Sequence, residues 1–492
     1  MLLMFLSGCW KVSPGPILAE QAREPVQVVG LHEKGSSTLI DVSLRAGAAH
    51  DPMGREGTAW LTAKMLESQF KSEHELYLMF DQEVLSFRFV VPNDDLADTV
   101  LAIQDMFAEP NWDPQQLMVH QQNALSSLNQ YSQEDEKLAM MVFQNWLYDG
   151  HPYGHPSSGR GGVLSTISIE EVSRFFTTRY IRPAVAIGVA GQMINQDGQV
   201  DVNHPLASPI LQLQDGLSEA FLPSLYKDVT PRVVPPIAGR QLLTVANNSE
   251  HIGFVFGHHH SLSSQHPDWP EMLIATAVLG AHSQHFGRLG KTLHTKRDLN
   301  YGNHAYLQLQ HQQGWSHQQE ATSPREQNAF FIWLRPTPKV SANFLLRAAI
   351  SEYETFVNNG ITDEELSHAA KYVSDQLSNL STSQKLRWMT ENSVMGEDTS
   401  LDQLVQQTSQ VSKDEVNRVI KAHLDPQNIK IVAVVGKVEE FLADIEGEVA
   451  SIVYPLHHSE VDSQQAEEDN TYATFSLQIQ VVFQRLAEGI FQ

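Results

Sequence analysis

The sequence is poor in cysteine and in positive charge. Its 492 residues include one cysteine, Cys9, which excludes an internal disulfide framework and any cysteine-rich zinc or iron–sulfur centre. Lys and Arg number 33 against 58 Asp and Glu, so the formal net charge is −25. This deficit of basic residues argues against sequence-independent nucleic-acid binding and against electrostatic docking on anionic lipid. We therefore expect no nucleic acid as a partner.

The chain also lacks a hydrophobic run that could cross a membrane, which requires about 18 consecutive apolar residues. Hydrophobic residues nevertheless make up 41% of the chain and charged residues 18%, which is enough to build packed cores. At roughly 150 residues per domain, the length predicts two or three domains.

The N-terminal residues 1–9 are apolar, then small, and end at Cys9. Their Leu-Ser-Gly-Cys ending resembles the processing box of a bacterial lipoprotein signal, in which the cysteine is acylated. That resemblance implies a place on the periplasmic side of a bacterial envelope, with lipidated Cys9 anchoring the chain to the outer membrane without spanning it. The alternative is a hydrophobic N-terminus with an incidental cysteine, because the basic residues that open such a signal are missing. Residues 1–25 are thus a signal remnant and tether.

The body of the chain alternates between strand-like and helix-like patterns. Residues 37–45 and 84–91 alternate apolar and polar side chains, which predicts half-buried strands. Residues 56–67 and 113–131 have helical spacing, and the second stretch begins with Asp-Pro, a favourable helix start. These patterns predict an α+β fold.

Two stretches of the chain repeat the same design. Residues 168–191 and 412–436 each contain a Ser N-cap with Glu three residues later, an amphipathic helix, a proline turn and a buried strand ending in glycine. The repeat predicts two tandem homologous α+β domains, residues 26–196 and 240–445. We expect each to be a mostly antiparallel sheet with helices packed on one face.

Two further segments complete the predicted organisation. Residues 197–239 are rich in proline and are interpreted as a linker between the domains, partly packed. Residues 446–492 contain an acidic, polar stretch at 460–470, which predicts a mobile link. Alternation at residues 475–481 then predicts a strand, and residues 484–491 a short terminal helix.

Several stretches, in the same order, resemble the insulinase/pitrilysin family of zinc peptidases, the inverzincins, and within it the bacterial and mitochondrial-processing-peptidase branch. The pieces are the strand at 39–44, the Asp-Pro-Met-Gly turn at 51–54, the helix Gly-Thr-Ala-Trp-Leu-Thr-Ala-Lys-Met-Leu at 57–66, the His-Pro-Tyr-Gly segment at 147–154 with Gly159, the block 168–191, and residues 279–289 and 293–301. The resemblance covers about residues 26–445 and implies two insulinase-like domains.

In that family two His at i and i+4 hold zinc, an intervening Glu is the general base, and a later Glu is the third ligand. Here Trp60 and Lys64 stand at the two His positions, Ala63 at the base and Ser127 near the third ligand. Indole offers no lone pair to a metal, and an ammonium group repels a dication. The resemblance therefore implies a degenerate member without catalytic residues or a zinc cofactor, inactive as a peptidase by itself.

The second domain of the family supplies an Arg and a Tyr, seven residues apart, that help to hold substrate. Here Tyr301 is kept, His294 occupies the Arg position, and Arg297 lies close by as a possible substitute. Arg288 matches an Arg-Leu element of the family. The alternative is a tyrosine that simply packs at a domain surface.

Members of this branch often work as pairs in which one subunit holds zinc and the other lacks it. The resemblance thus implies a pseudo-peptidase that forms a peptide-binding chamber with an active zinc-bearing homologue, or as a homodimer. One alternative is a stand-alone envelope lipoprotein that binds peptides without cutting them.

Histidine is abundant, with 22 in the chain and a dense tract at residues 251–317 that includes the run 258–260. A metal-handling or pH-sensing role is one interpretation of this tract. The other is that these are surface and loop positions in a chain that uses His and Gln freely. Because no ligand set with helical spacing and a carboxylate partner emerges, we predict no metal site, and a His-rich metal-binding protein remains an alternative.

Overall fold

The computed structural model describes residues 24–224, 233–309, 324–454 and 463–486, with side chains described up to residue 482. Cys9, His311 and His317 lie outside the described residues. The strands are β1 Gln27–His32, β2 Ser37–Leu44, β3 Leu76–Phe80, β4 Leu85–Pro92, β5 Val185–Gly191, β6 Arg240–Ala246, β7 His251–His260, β8 Asn303–Tyr306, β9 Asn328–Pro338, β10 Lys430–Val435 and β11 Ile479–Leu486.

Helices connect and cover these strands. In the first half they are α1 Thr58–Glu67, α2 Leu96–Ala108, α3 Pro114–Gln133, α4 Asp135–Leu147, α5 Gly161–Leu164, α6 Ile169–Arg179 and α7 Ala207–Ala220. In the second half they are α8 Trp269–Gly280, α9 Lys339–Asn359, α10 Asp363–Ser378, α11 Thr382–Met395, α12 Leu401–Gln410, α13 Lys413–His423, α14 Val438–Glu446 and α15 Ser463–Ala473.

The two halves have the same sheet topology. The first sheet has the order β1-β5-β2-β4-β3, and the second has the order β11-β6-β10-β7-β9-β8. In the first sheet β1 pairs in parallel with β5, and in the second sheet β10 and β11 both pair in parallel with β6, whereas the other neighbouring strands pair antiparallel. Apart from β11, the second sheet matches the first strand for strand. The predicted fold class, two tandem α+β domains, is confirmed.

The repeated sequence blocks form equivalent elements. Ser168 and Ser412 each cap a helix through a complete capping box, with Glu171 and Glu415 bonding back to the cap backbone. Helices α6 and α13 then lead into the buried strands β5 and β10. Each half therefore forms the equivalent helix and strand through the same local sequence signals.

Each sheet is covered on its second face by a helix of the other half. Helix α4, from the first half, packs on β7 and β10, and helix α11, from the second half, packs on β1, β2 and β5. The approach of α11 is so close that a Cβ at Gly188 of β5 would lie 2.1 Å from Thr390 Oγ1. The two halves thus exchange helices and share their cores.

Ion pairs reinforce this contact between the halves. Arg325 Nη2 lies 2.6 Å from Asp81 Oδ2 and 3.0 Å from Glu391 Oε2, and all three side chains are nearly buried. Glu391 is also bonded by Arg387 at 2.7 Å. This network joins the β3–β4 connection of the first half to helix α11 of the second.

Part of the segment interpreted as a linker belongs to the first core. Ile210, Leu213 and Leu217 of α7 are fully buried in the cluster that also holds α2. None of the helices in the described ranges has the length and apolarity to pass through a membrane.

The C-terminal segment differs from its prediction. The acidic stretch predicted to be a mobile link forms helix α15 at residues 463–473. The chain then adds strand β11 in parallel to β6, and this strand continues through residues 484–486, where a helix was predicted. The remaining residues of that predicted helix lie outside the described part of the chain.

Candidate functional site

The turn before helix α1 is held by the buried carboxyl group of Asp51. Its Oδ2 accepts a hydrogen bond from the backbone N–H of Gly57 at 2.7 Å, and its Oδ1 accepts one from that of Ala59 at 2.6 Å. Burial raises the pKa of Asp51 to about 8, although both hydrogen bonds favour the charged form. Asp51 therefore satisfies two backbone N–H groups at the start of α1, those of the N-cap residue Gly57 and of Ala59, from outside the helix.

The His-Pro-Tyr-Gly segment and the start of α1 form one packed unit. Gly57 and Gly159 both have positive φ, at 115° and 104°, and a Cβ on Gly159 would lie 2.6 Å from Gly57 Cα. His155 Nε2 lies 4.0 Å from Asp51 Oδ2. Two stretches that carry the family resemblance, about a hundred residues apart, thus meet at one place.

Trp60, Ala63 and Lys64, which the resemblance places at the zinc-site positions, make contacts within α1 and with its neighbouring clusters. Lys64 Nζ lies 2.6 Å from Glu67 Oε2 and 5.7 Å from the ring centroid of Trp60. Ala63 is fully buried, and Trp60 packs against the hydrophobic clusters on both sides of the helix. Indole, methyl and ammonium groups occupy the face where metal ligands and a base would be required.

Helix α3 presents the remaining predicted position. It packs on α1 through Leu117, Ala124 and Leu128, whereas Ser127 is exposed. His120 lies on the packed side of α3, and its pKa is lowered by burial first and by the nearby charge of Lys64 second. His120 was not among the residues predicted from the sequence, although its spacing from Leu117 and Ala124 places it on the buried face.

These side chains do not fit zinc. A zinc site needs about four ligands drawn from imidazole, thiolate or carboxylate groups, and Trp60, Lys64 and Ser127 supply none of them. Among the residues that the structure describes, three such ligand atoms come close together at His266, Asp268 and His423 in the second half, and not at α1. Helix α1 therefore offers no way to activate a water molecule.

Two of the predicted substrate-binding residues lie side by side in the second half. Tyr301 is 74% exposed, and its ring centroid is 5.7 Å from that of His294. His294, in a single π-helical turn at Gly290–Thr295, lies with Nδ1 2.8 Å from the carbonyl oxygen of Asn300 and 3.4 Å from Asp298 Oδ1. The exposed phenol and the half-exposed imidazole form one surface.

The two predicted arginines are engaged inside the chain. Arg288 makes a two-pronged ion pair with Glu365, at 2.6 and 2.8 Å, and lies 5.2 Å from the ring of Phe356. Arg297 is fully buried, and its Nε bonds Asp469 of helix α15 at 2.6 Å. Both guanidinium groups stabilise the second half, and Arg297 is not exposed beside Tyr301 as a substitute would be.

The histidine run lies on strand β7 and not in a loop. His258 is buried, and its Nε2 lies 3.2 Å from the hydroxyl of Tyr353. His260 Nε2 lies 2.8 Å from the carbonyl oxygen of Leu307. Burial lowers the pKa of His258 to about 4 and that of His260 to about 3. The interpretation of the run as loop positions is wrong because strand β7 carries it, and His258 is buried whereas His260 is partly exposed.

Comparison with known proteins identifies solved structures that have a similar fold. No protein-family model and no curated protein matches the sequence. The chain is similar to an inactive domain of peptidase M16 from Pseudomonas fluorescens, with 16% identity and a TM-score of 0.70 over 83% of this chain and 95% of that one. It is also similar to a protease from Helicobacter pylori, with 15% identity and a TM-score of 0.64 over 84% of this chain and 99% of that one.

A chain of complex III from Candida albicans is a further structural neighbour, with 13% identity and a TM-score of 0.65 over 83% of this chain and 93% of that one. At these identities the similarity establishes the fold alone. That fold is the insulinase-like fold of peptidase M16, as the resemblance of the sequence motifs implied.

Proposed function

We propose that this chain is a non-catalytic partner subunit, which forms a peptide-receiving chamber together with an active, zinc-bearing homologue of the same fold. One observation carries the proposal: the Lys64–Glu67 ion pair, 2.6 Å long and set beside Trp60, lies at the helix positions where the family resemblance leads one to expect a zinc site. The ammonium group of this partly exposed pair repels a second cation and offers no lone pair to a metal.

Two of the structural neighbours support a non-catalytic role in an assembly. One is described as an inactive domain of peptidase M16, and another is part of complex III. Those descriptions belong to the neighbours. For this chain they favour a subunit that contributes shape and binding surface while a second subunit performs the chemistry.

The surface formed by Tyr301 and His294 is the proposed peptide contact. A tyrosine that is 74% exposed offers a large, rigid face and a hydroxyl group, which are the properties that make tyrosine frequent in binding hot spots. His294 adds a polar ring 5.7 Å away. The two together can contact a peptide through stacking and hydrogen bonding.

Copurification and peptidase assays with candidate homologues test the pairing. We expect the chain to associate with a homologue that has an intact His-x-x-Glu-His motif and to raise its peptide cleavage several-fold. Tyr301→Ala should lower cleavage by the pair while association persists. Tyr77→Ala removes another exposed tyrosine, on strand β3, and should leave cleavage unchanged.

The pairing proposal fails if no such homologue associates with the chain and none changes its activity. If Tyr301→Ala and Tyr77→Ala changed peptide cleavage equally, the proposal that Tyr301 contacts the peptide would be wrong. The proposal that the chain pairs with a homologue would be unaffected.

The exposure of Tyr301 also favours a second candidate, in which the chain captures peptides alone without cutting them. Fluorescence anisotropy with labelled peptides distinguishes the two functions. Binding by the isolated chain that resists chelator, with no response to any homologue, would support capture. Loss of binding in the absence of the homologue would support pairing.

We also propose a lipid anchor on the periplasmic side of the envelope, on the basis of the residues that precede Cys9. Metabolic labelling with radioactive palmitate should mark the wild-type chain and not Cys9→Ser. Equal labelling, or none in either chain, would contradict the anchor.

A further inference from the structure

Three potential metal ligands meet in the second half, far along the chain from the degenerate positions of α1. His266 and Asp268 lie just before helix α8, and His423 is the last residue of α13. One nitrogen of each imidazole and one carboxylate oxygen all lie within 4.8 Å of one another. Three donors from two separate elements, at this spacing, could contact a single ion with small adjustments.

The geometry of the cluster is already that of a convergent donor set. Asp268 Oδ2 lies 2.7 Å from His423 Nε2. The rings of His266 and His423 are perpendicular, with their centroids 5.6 Å apart. The Nδ1 lone pair of His266 is directed towards the backbone N–H of Asp268, at 3.1 Å. A cation bound between Asp268 Oδ2 and His423 Nε2 would replace the hydrogen bond that joins these two atoms.

Arg418 supports the carboxylate from the opposite side. Its Nη2 bonds Asp268 Oδ1 at 2.6 Å, while Nη1 lies 3.3 Å from Oδ2. With His423, this contact lowers the pKa of Asp268 to about 2, so the carboxylate is charged at neutral pH. Metal-binding carboxylates are commonly oriented by such an outer hydrogen bond to the second oxygen.

A further carboxylate lies one helical turn from Asp268. Glu271 is 8% exposed, and its Oε2 has no hydrogen-bond partner among the described atoms. Its pKa is raised by burial first, with the charges of Asp268 and Glu415 contributing. A cation bound nearby would favour the charged form of Glu271, and that carboxylate would then offset the positive charge of Arg418.

We propose that His266, Asp268 and His423 form a binding site for a divalent first-row transition metal ion, of the class of Zn²⁺, Co²⁺, Ni²⁺ or Cu²⁺. Imidazole and carboxylate donors together suit these ions better than Mg²⁺ or Ca²⁺, which prefer oxygen alone. The ion joins the start of α8 to the end of α13, and water can complete its coordination because both imidazoles are partly exposed.

Metal titration of the purified full chain tests the site. With zinc chloride and cobalt chloride as probes, isothermal titration calorimetry and elemental analysis after dialysis should show one tightly bound equivalent per chain. His266→Ala and His423→Ala should each weaken that binding at least tenfold. His266→Gln, which keeps the bulk of the side chain, should do the same and guards against an effect of misfolding.

The matched control removes another pair of neighbouring imidazoles. The rings of His285 and His368 lie 4.6 Å apart, but they belong to no three-donor cluster in the described part of the chain. The double variant His285→Ala/His368→Ala should bind zinc as the wild type does. The proposal is overturned if the wild-type chain binds neither metal tighter than millimolar, or if His266→Gln and His423→Ala retain the wild-type affinity.

Discussion

At the residue scale, Glu83 is a carboxyl group enclosed where the two halves meet. It is 2% exposed, and its Oε1 accepts hydrogen bonds from the hydroxyl of Tyr153 and from the backbone N–H of Glu326. Its Oε2 has no partner among the described atoms. Burial raises the pKa of Glu83 from 4.5 to about 7. The protonated form is therefore favoured in the folded chain.

This shift predicts a pH-dependent contribution to stability. Between pH 4.5 and 7 the folded chain keeps the Glu83 proton that the unfolded chain has released, so the contribution is present at low pH and is lost as the pH rises through 7. Glu83→Gln removes it. From pH 5 to 7.5 we expect wild-type stability to fall relative to the variant by up to about 3 kcal/mol.

Urea denaturation at several pH values measures this difference. The contributions of the buried histidines to the pH dependence of stability cancel because both proteins contain them. Glu109→Gln, which changes an exposed carboxylate, is the control and should follow the wild type. Parallel stability profiles for wild type and Glu83→Gln would contradict the buried, protonated state of Glu83.

At the site, the sequence predicts which residue types occupy the motif positions, but it does not predict every contact or the burial of every side chain. The expectation that Trp60, Ala63 and Lys64 stand where zinc-site residues would be could be derived from the sequence, because the motif of the resembling family has a fixed spacing. The contact of His120 with that helix and the burial of Arg297 depend on which elements pack together. Neither is encoded by local spacing, and so the sequence placed Arg297 with the substrate-binding residues whereas the structure places it in the core.

At the element scale, helix α15 shows how composition misleads. Its acidic sequence lacks an apolar face wide enough to predict packing, and so a mobile link was expected. The helix is held by pairing: Glu468 bonds Lys296 at 2.7 Å, Asp469 bonds Arg297 at 2.6 Å, and Tyr472 lies 5.1 Å from the Arg297 guanidinium. The partners lie about 170 residues away along the chain, beyond the reach of any local pattern.

Arg297→Gln should detach this helix. The change leaves Asp469 nearly buried without its cation, and removal of one partner of a buried ion pair typically costs about 3–5 kcal/mol. Hydrogen exchange of residues 463–473 should become much faster, and the chain should lose stability. Lys296→Gln breaks an ion pair to the same helix at a more exposed position and should cost about 1 kcal/mol or less. Equal effects of the two variants would contradict this account of α15.

At the scale of the whole molecule, the repeat predicted two domains but not their exchange of helices. Helical periodicity shows that one face of α4 or α11 is buried, yet it does not show which sheet buries it. The sequence pattern of strand β5 likewise does not show which helix packs against it. Only the assembled fold shows that Gly188 is needed for the approach of a helix from the other half.

Because the halves share their cores, they should unfold together. Arg325→Met removes the cation that bonds Asp81 and Glu391 between the halves, and we expect a loss of about 3–5 kcal/mol within a single urea transition. Arg335→Met is the control: its contact with Glu136, at 3.3 Å, also joins the halves but is more exposed, and should contribute about 1 kcal/mol or less. Two separate transitions in the wild-type chain would contradict a shared core.

The chain has the insulinase-like fold, and we propose that it has no catalytic centre at Trp60, Ala63 and Lys64. The most direct test of this proposal is peptide cleavage by the purified chain alone, assayed with a broad library of unstructured peptides before and after chelator treatment and zinc readdition. We predict no cleavage that responds to chelator or to zinc. Cleavage that chelator abolishes and zinc restores, in a preparation free of homologues, would contradict the account.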